Sequence, residues 1–246
     1  MAGVQAANLD PLGWSAYMVV NRAAPPFDNP ALVRALLGAV DQTEFMQAVV
    51  GYQPGLSRTG VGVFNPVSPL ANDAGMEALT GPRDLDRVRA LVRDSGYAGQ
   101  PVVLLSPADR PQNVAMAAVA QQMMQQVGLR VDLQSMDFGT TLARVNSRGG
   151  APWGAFCARY PGISTVDPAD HGPLLGRGPD PVMEALVDTW FDAPDMEAQL
   201  AVARAIQLRA FEDPPMLPLG QLTAFRYSIT GILPGPTQLF WNLRKA

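Results

Sequence analysis

The chain has 246 residues, 48% of them apolar and 16% charged, with a net charge of −4. These values exclude global disorder, and an acidic chain without a basic run excludes a broad nucleic-acid-binding face. A single Cys (Cys157) and a single His (His171) exclude an intrachain disulfide, a multi-thiolate zinc site and His–His metal motifs.

Taken in chain order, residues 1–10 carry no positive charge and the apolar run 12–20 is short, so no secretory signal peptide is expected here. Residues 13–20 (GWSAYMVV), aromatic and β-branched, predict a buried strand. Pro25-Pro26 forces an extended link, and Asn29 followed by Pro30 signals a helix with Leu32, Ala35, Leu36 and Ala39 on one side. Asp41 caps a second short helix, stopped at Gly51. Residues 53–82 are rich in Gly, Pro and Asn and show no period. So long a stretch is either functional, wrapped along a surface, or structure whose period is hidden.

The rhythm then changes. Leu85, Val88, Leu91 and Val92 mark a helix ended by Gly96, and residues 102–105 a strand. A helix over 111–127 is stopped by Gly128, a strand follows over 129–133, and a short helix over 138–146. Helices alternating with strands predict an α/β fold with a mixed, mainly parallel sheet. Residues 149–180 are loop-rich, with one strand near 153–158. Two helices lined by Met183–Trp190 and Leu200–Ala210 come next, then strands at 216–219 and 224–229 and an apolar tail, Phe240-Trp241-Asn242, expected to pack. The longest uncharged helical stretch, 111–129, holds five Gln and is too polar to span a bilayer.

Catalytic motifs are scarce. Asp137-Phe138-Gly139 spells a kinase triplet, but the chain's only Lys is Lys245, and a helix cap at Asp137 is the plainer reading. Neither Gly60-Val61-Gly62 nor Gly176-Arg177-Gly178 is a dinucleotide fingerprint. A metal at Asp167, Asp170 and His171 competes with a solvated acidic loop, and Cys157 reads as a buried, inert thiol. What remains is Trp153, Phe156, Arg159 and Tyr160 around the end of a predicted strand. In α/β sheets ligands bind at the C-terminal ends of strands. There an Arg fork suits an anion and aromatics supply a wall, although a core role for the aromatics and a surface role for the Arg explain the same letters.

Several segments in order resemble one family, the family 5 extracytoplasmic solute-binding proteins, the dipeptide and oligopeptide receptors of ABC importers. They are Val20-Asn21 through Pro25-Pro26-Phe27-Asp28, Val33-Arg34-Ala35-Leu36, Ala39-Val40-Asp41, residues 85–97 ending in Gly96-Tyr97, residues 114–132, Pro218-Leu219-Gly220-Gln221 and Phe240-Trp241-Asn242. The resemblance implies a type II periplasmic-binding-protein lobe over residues 12–221, a tail over 222–246 that returns to a first lobe, and a first lobe and signal peptide absent from this chain. It further implies a periplasmic, non-enzymatic role with a small-molecule solute, membrane permease subunits as partners, and neither cofactor nor metal. An unfilled lobe face would favour self-association. Peptide-binding members carry an Asp before the Tyr-Pro pair that holds the peptide's amino group. Here that position is Arg159, before Tyr160-Pro161, so an anionic group replaces the amine as the expected ligand. Two other classes stay open at this point: a stand-alone interaction module, and a hydrolase using Asp137 or Asp167 with His171, which requires those groups to converge.

Overall fold

Along residues 14–20 apolar side chains stand on both sides of an extended chain, and such a strand is stable only between two covered faces. In the computed structural model, which describes residues 4–53, 55–147, 152–169 and 180–229, it belongs to a six-stranded sheet. The strands are β1 (Val4–Val20), β2 (Ser57–Arg58), β3 (Val102–Pro107), β4 (Val131–Met136), β5 (Ala155–Pro161) and β6 (Met216–Ile229), in the order β2-β6-β1-β5-β3-β4.

The sheet is mixed, as expected, but not mainly parallel. β3 runs parallel to β4 and β5, whereas β1 is antiparallel to β5 and β6, and β2 is antiparallel to β6. The helix–strand alternation that signals parallel pairing is confined to residues 85–161. Outside it, β1 runs against both of its neighbours.

One face of the sheet is covered by α1 (Pro30–Leu37), α2 (Gln42–Val50), α4 (Leu85–Asp94) and α5 (Pro111–Gln126). Ala16, Met18, Leu104, Ala155 and Cys157 meet Leu36, Phe45, Val88, Met116 and Met124 there. On the other face Val19, Leu105, Phe156 and Ala158 pack with Trp153 and with Val145 of α6 (Phe138–Asn146). A third cluster joins α7 (Pro181–Phe191) and α8 (Met196–Glu212) to Phe64 and Leu70. Asn29, Asp41 and Asp137 cap α1, α2 and α6 as the sequence predicts, each accepting from a first-turn N–H.

Residues 53–82 wrap the surface with little regular structure beyond β2 and one short helix, α3 (Glu77–Thr80). Side-chain and backbone groups from elsewhere satisfy the backbone that no ladder serves. Gln42 donates to Val61 O (2.8 Å) and accepts from Val61 N (3.0 Å), and Asn65 N donates to Thr165 O (2.7 Å). Val61, Phe64, Leu70 and Met76 are buried beneath this wrap.

β1 begins nine residues earlier than the apolar run that predicts it, because its ladder with β6 is broken by register shifts that blur the alternation. Gly13 sits at one of these shifts with φ +57, where an added Cβ would lie 2.2 Å from Leu222 O. The two strands expected at 216–219 and 224–229 are one strand, β6, continuous through Gly220. The tail motif Phe240-Trp241-Asn242 lies outside the described residues.

Candidate functional site

β3, β4 and β5 are mutually parallel, so their C-terminal ends lie along one edge of the sheet. That edge receives Asp109-Arg110 after β3, Asp137-Phe138 after β4, and Arg159–Pro161 at the end of β5. Trp14 joins them because the antiparallel register sets it opposite Pro161.

The pleat divides the four residues expected from the sequence. Successive side chains of a strand point to opposite faces. Phe156, Ala158 and Tyr160 therefore share one face of β5, while Cys157 and Arg159 share the other. Trp153 and Phe156 are 7% and 1% exposed and meet edge-to-face with ring centroids 6.0 Å apart, so both stand inside the sheet-face cluster. Tyr160, partly buried, packs 6.0 Å from the ring of Tyr17, whose hydroxyl donates to Val63 O (3.0 Å). Burial pushes both phenols above the ordinary tyrosine range.

Arg159 faces the other way. Its guanidinium lies over the ring of Trp14, 5.6 Å from the centroid, and its Nε is enclosed without a hydrogen-bond acceptor among the described residues. Burial, and secondly the positive charge of Arg110, hold its pKa below the ordinary arginine value. Arg110 repeats the arrangement, its guanidinium 4.8 Å from the ring centroid of Phe138. Three contacts join the loops of this edge. Asn113 Nδ2 donates to Cys157 O (2.8 Å), Ala108 N to Met136 O (2.7 Å) and Phe138 N to Asp109 Oδ1 (2.7 Å). A partly desolvated cation without a carboxylate favours an anion arriving from outside.

Trp14, Arg110 and Phe138 were not among the residues expected from the sequence. The signal for two of them was present: Arg110 and Phe138 follow predicted strands just as Arg159 ends one, and the strand-end rule applies to each. Trp14 enters only through strand pairing, which the letters do not display.

Both carboxylates considered for catalysis are engaged by nearby backbone or hydroxyl donors. Asp137 caps α6, accepting from Thr140 N (2.9 Å) and Thr140 Oγ1 (2.5 Å). Asp167 accepts from Ala169 N (2.9 Å). Asp170 and His171 lie outside the described residues. Burial raises the Cys157 thiol far above its usual pKa. Among the described residues no three His, Cys, Asp or Glu side chains cluster as a metal would require, and no helix is long and apolar enough to cross a membrane. A separate apolar cavity of about 60 Å³ lies between α7, α8 and the sheet, lined by Tyr17, Met183, Ile206, Phe211 and Met216. It has room for a couple of methyl groups, not for a peptide-sized solute.

The family model for the middle region of the bacterial extracellular solute-binding proteins, family 5, matches residues 3–155, which include β1, the first six helices and the start of β5. The chain belongs to this family. The family 5 chain is 24% identical over 241 residues, 92% of its length, to a probable peptide ABC transporter periplasmic-binding protein of Sinorhizobium fredii, of which it covers 45%. It is also 27% identical over 135 residues, 54% of its length, to a quarter (25%) of the glutathione-binding protein of Escherichia coli K12. An ABC transporter substrate-binding protein from Listeria monocytogenes matches 92% of the chain with a TM-score of 0.79 at 17% identity, over 46% of that structure. A dipeptide-binding protein from Pseudoalteromonas sp. SM9913, solved with Met-Leu, matches 96% with a TM-score of 0.73 at 20% identity, over 48% of that structure. The fold is thus that of a periplasmic-binding-protein lobe, and the family 5 chain spans about half the length, or less, of these relatives.

Proposed function

We propose that this family 5 chain supplies one ligand-facing lobe of a solute receptor for an ABC-type importer, binding a small organic or peptide-like solute at the edge formed by the ends of β3, β4 and β5. Residues 12–221 form the body of the lobe, and a second lobe closes over the solute. The receptor works in the periplasm, hands its solute to membrane permease subunits, and carries out no chemistry on it. The relatives are named as periplasmic-binding and substrate-binding proteins, which supports that class of role.

The observation that carries the reading is Arg159: a guanidinium at the strand-end edge, stacked on Trp14, with a buried Nε and no acceptor among the described residues. In this reading Arg159 is the polar anchor, and Tyr160, on the opposite face of β5, borders the site only at the strand end. Trp153 and Phe156 act from inside by fixing the face on which Tyr160 stands. Titration calorimetry of the chain against anionic, zwitterionic and cationic small solutes tests it. Saturable heat that disappears in Arg159→Ala is expected, and heat unchanged by that substitution removes Arg159 from the site.

A second reading, an interaction module that self-associates, is favoured by the outer surface of α7 and α8, where Val182, Phe191, Met196 and Leu208 are exposed. Sedimentation over a range of concentrations separates the two. A concentration-dependent dimer supports the module, and a monomer throughout discards it.

A further inference from the structure

We infer that the solute held at this edge carries two negative charges on one compact group, a dicarboxylate or a phosphate monoester, gripped jointly by Arg159 and Arg110. This rests on the reading that the strand-end edge is where the solute binds.

Arg110 stands in the turn after β3 and Arg159 near the end of β5, yet each has the same build. Each lays its guanidinium over an aromatic ring, Phe138 at 4.8 Å and Trp14 at 5.6 Å. Stacking covers one face of a guanidinium and leaves its N–H edge for a planar or tetrahedral anion. The elements that carry them are tied together, because Asn113, in the first turn after Arg110, donates to Cys157 O two residues before Arg159.

Of the neighbouring acids among the described residues only Asp109 pairs with either arginine, and it does so loosely, with Arg110 alone. Asp109 accepts from Phe138 N with one oxygen, and its other stays 3.9 Å from Arg110 Nε, beyond hydrogen-bond length. Asp137 is engaged by Thr140 at the start of α6. The charge that Arg159 feels most is another positive one, that of Arg110. Two neighbouring like charges, only one of them loosely paired with an acid, are costly, and an incoming dianion relieves both at once. A monoanion satisfies one guanidinium and leaves the other. A peptide's amino group would meet repulsion from both.

The test uses the full chain and two matched pairs of probes: succinate against monomethyl succinate, and phenyl phosphate against methyl phenyl phosphate. Binding is followed by the Arg159 Nε–H and Trp14 indole N–H resonances. At least one dianion should bind about tenfold or more tightly than its monoanionic partner, as the loss of a charged hydrogen bond predicts. The pair that shows the gap tells dicarboxylate from phosphate. Arg110→Gln should erase the gap, Arg110→Lys should restore part of it, and Arg159→Gln should weaken both members of the pair. Arg204→Gln, which removes an equal charge from the exposed pair with Asp73 on α8, should change nothing. Equal binding of dianion and monoanion, or a gap that survives Arg110→Gln, overturns the inference. If the zwitterion Gly-Leu shifts Arg159 Nε–H while no dianion does, the edge still binds solute and the two-charge inference alone fails. If no probe of any charge moves either resonance, both readings fail together.

Discussion

Asn113 Nδ2 donates to Cys157 O at 2.8 Å, fastening the first turn of α5 to β5 two residues before Arg159. The amide is buried and serves a strand carbonyl, so it is structural and positional at once. Asn113→Ala leaves that carbonyl without its donor, and the expected loss is about 1–3 kcal/mol of stability. Anion binding should weaken as well, although Arg110 and Arg159 are both intact. Chemical denaturation and a titration on the same variant check the pair of effects. Unchanged affinity would mean that the spacing of the two arginines does not depend on this bond.

Arg159→Ala should behave differently. Its Nε has no acceptor among the described residues and the group is partly desolvated, so its loss removes little from the fold. Affinity for an anionic solute should fall by about 1.5–3 kcal/mol, roughly 10- to 150-fold. Arg159→Asp should reverse the preference towards solutes with a free amine, because the sign at the strand end is reversed. Calorimetry with one anionic and one amine-bearing solute on each variant measures both.

Where a residue's role depends on its neighbours in sequence, the letters were enough. Asn29, Asp41 and Asp137 cap the helices they precede, and Gly51 and Gly128 end theirs. Where the role depends on pairing, they were not. The cluster 153–160 reads as one patch along the chain, yet the pleat sends Arg159 and Tyr160 to opposite faces, and Trp153 and Phe156 into the core. Trp14 lies some 145 residues from Arg159 in sequence and reaches it only because β1 runs antiparallel to β5. The wrap over 53–82 has no period to read, since Gln42, Asn65 and Gln207 stand in for a ladder.

The meeting of β1, the turn after β5, and β6 supplies a stability prediction. Leu12 O accepts from Asn65 Nδ2 (2.8 Å) and from Gln221 Nε2 (2.5 Å), and Gly162 packs directly against it. A Cβ on Gly162 would lie 2.0 Å from Leu12 O and 2.6 Å from Asn65 Nδ2. The first of these is backbone and cannot swing aside. Gly162→Ala should therefore cost about 3 kcal/mol through overpacking and weakened hydrogen bonds, visible as a lower thermal midpoint. A midpoint within a degree or so of the parent would show that β1 slides more freely than this packing implies.

Two helix caps differ in what lies behind them. Asp41 caps α2 at the surface, where its pair with Arg83 at 3.7 Å is exposed and adds little, and Asp41→Ala should cost about 1 kcal/mol. Asp180 caps α7 through Met183 N and also pairs with Arg209 Nε at 3.2 Å, with its side chain 9% exposed. Arg209 keeps a second partner, Asp213, at 3.1 Å, so the guanidinium is not stranded when Asp180 is removed. Asp180→Ala should cost about 2–3 kcal/mol, more than the cap alone and less than a fully buried pair left broken. Urea denaturation of the two variants ranks them, and equal midpoints would show that the Arg209 contact adds nothing.

The cap at Asp137 predicts a pH effect of definite sign. Its carboxylate accepts first from the Thr140 hydroxyl and then from the Thr140 N–H, and these bonds hold its pKa below the ordinary aspartate value. The folded chain thus takes up this proton less readily than the unfolded chain. The bonds contribute in full above the unfolded value, near about 3.9, and their contribution is lost as pH falls through the lower folded value. Thr140→Val removes the stronger of the two bonds while keeping the N–H. The Asp137 carboxyl, followed by its 13C resonance, should then titrate at higher pH than in the parent chain. The loosening of α6 with acid should begin correspondingly earlier. An unmoved titration would mean that the backbone N–H alone sets the charge at this helix start, beside the Phe138 ring on which Arg110 rests.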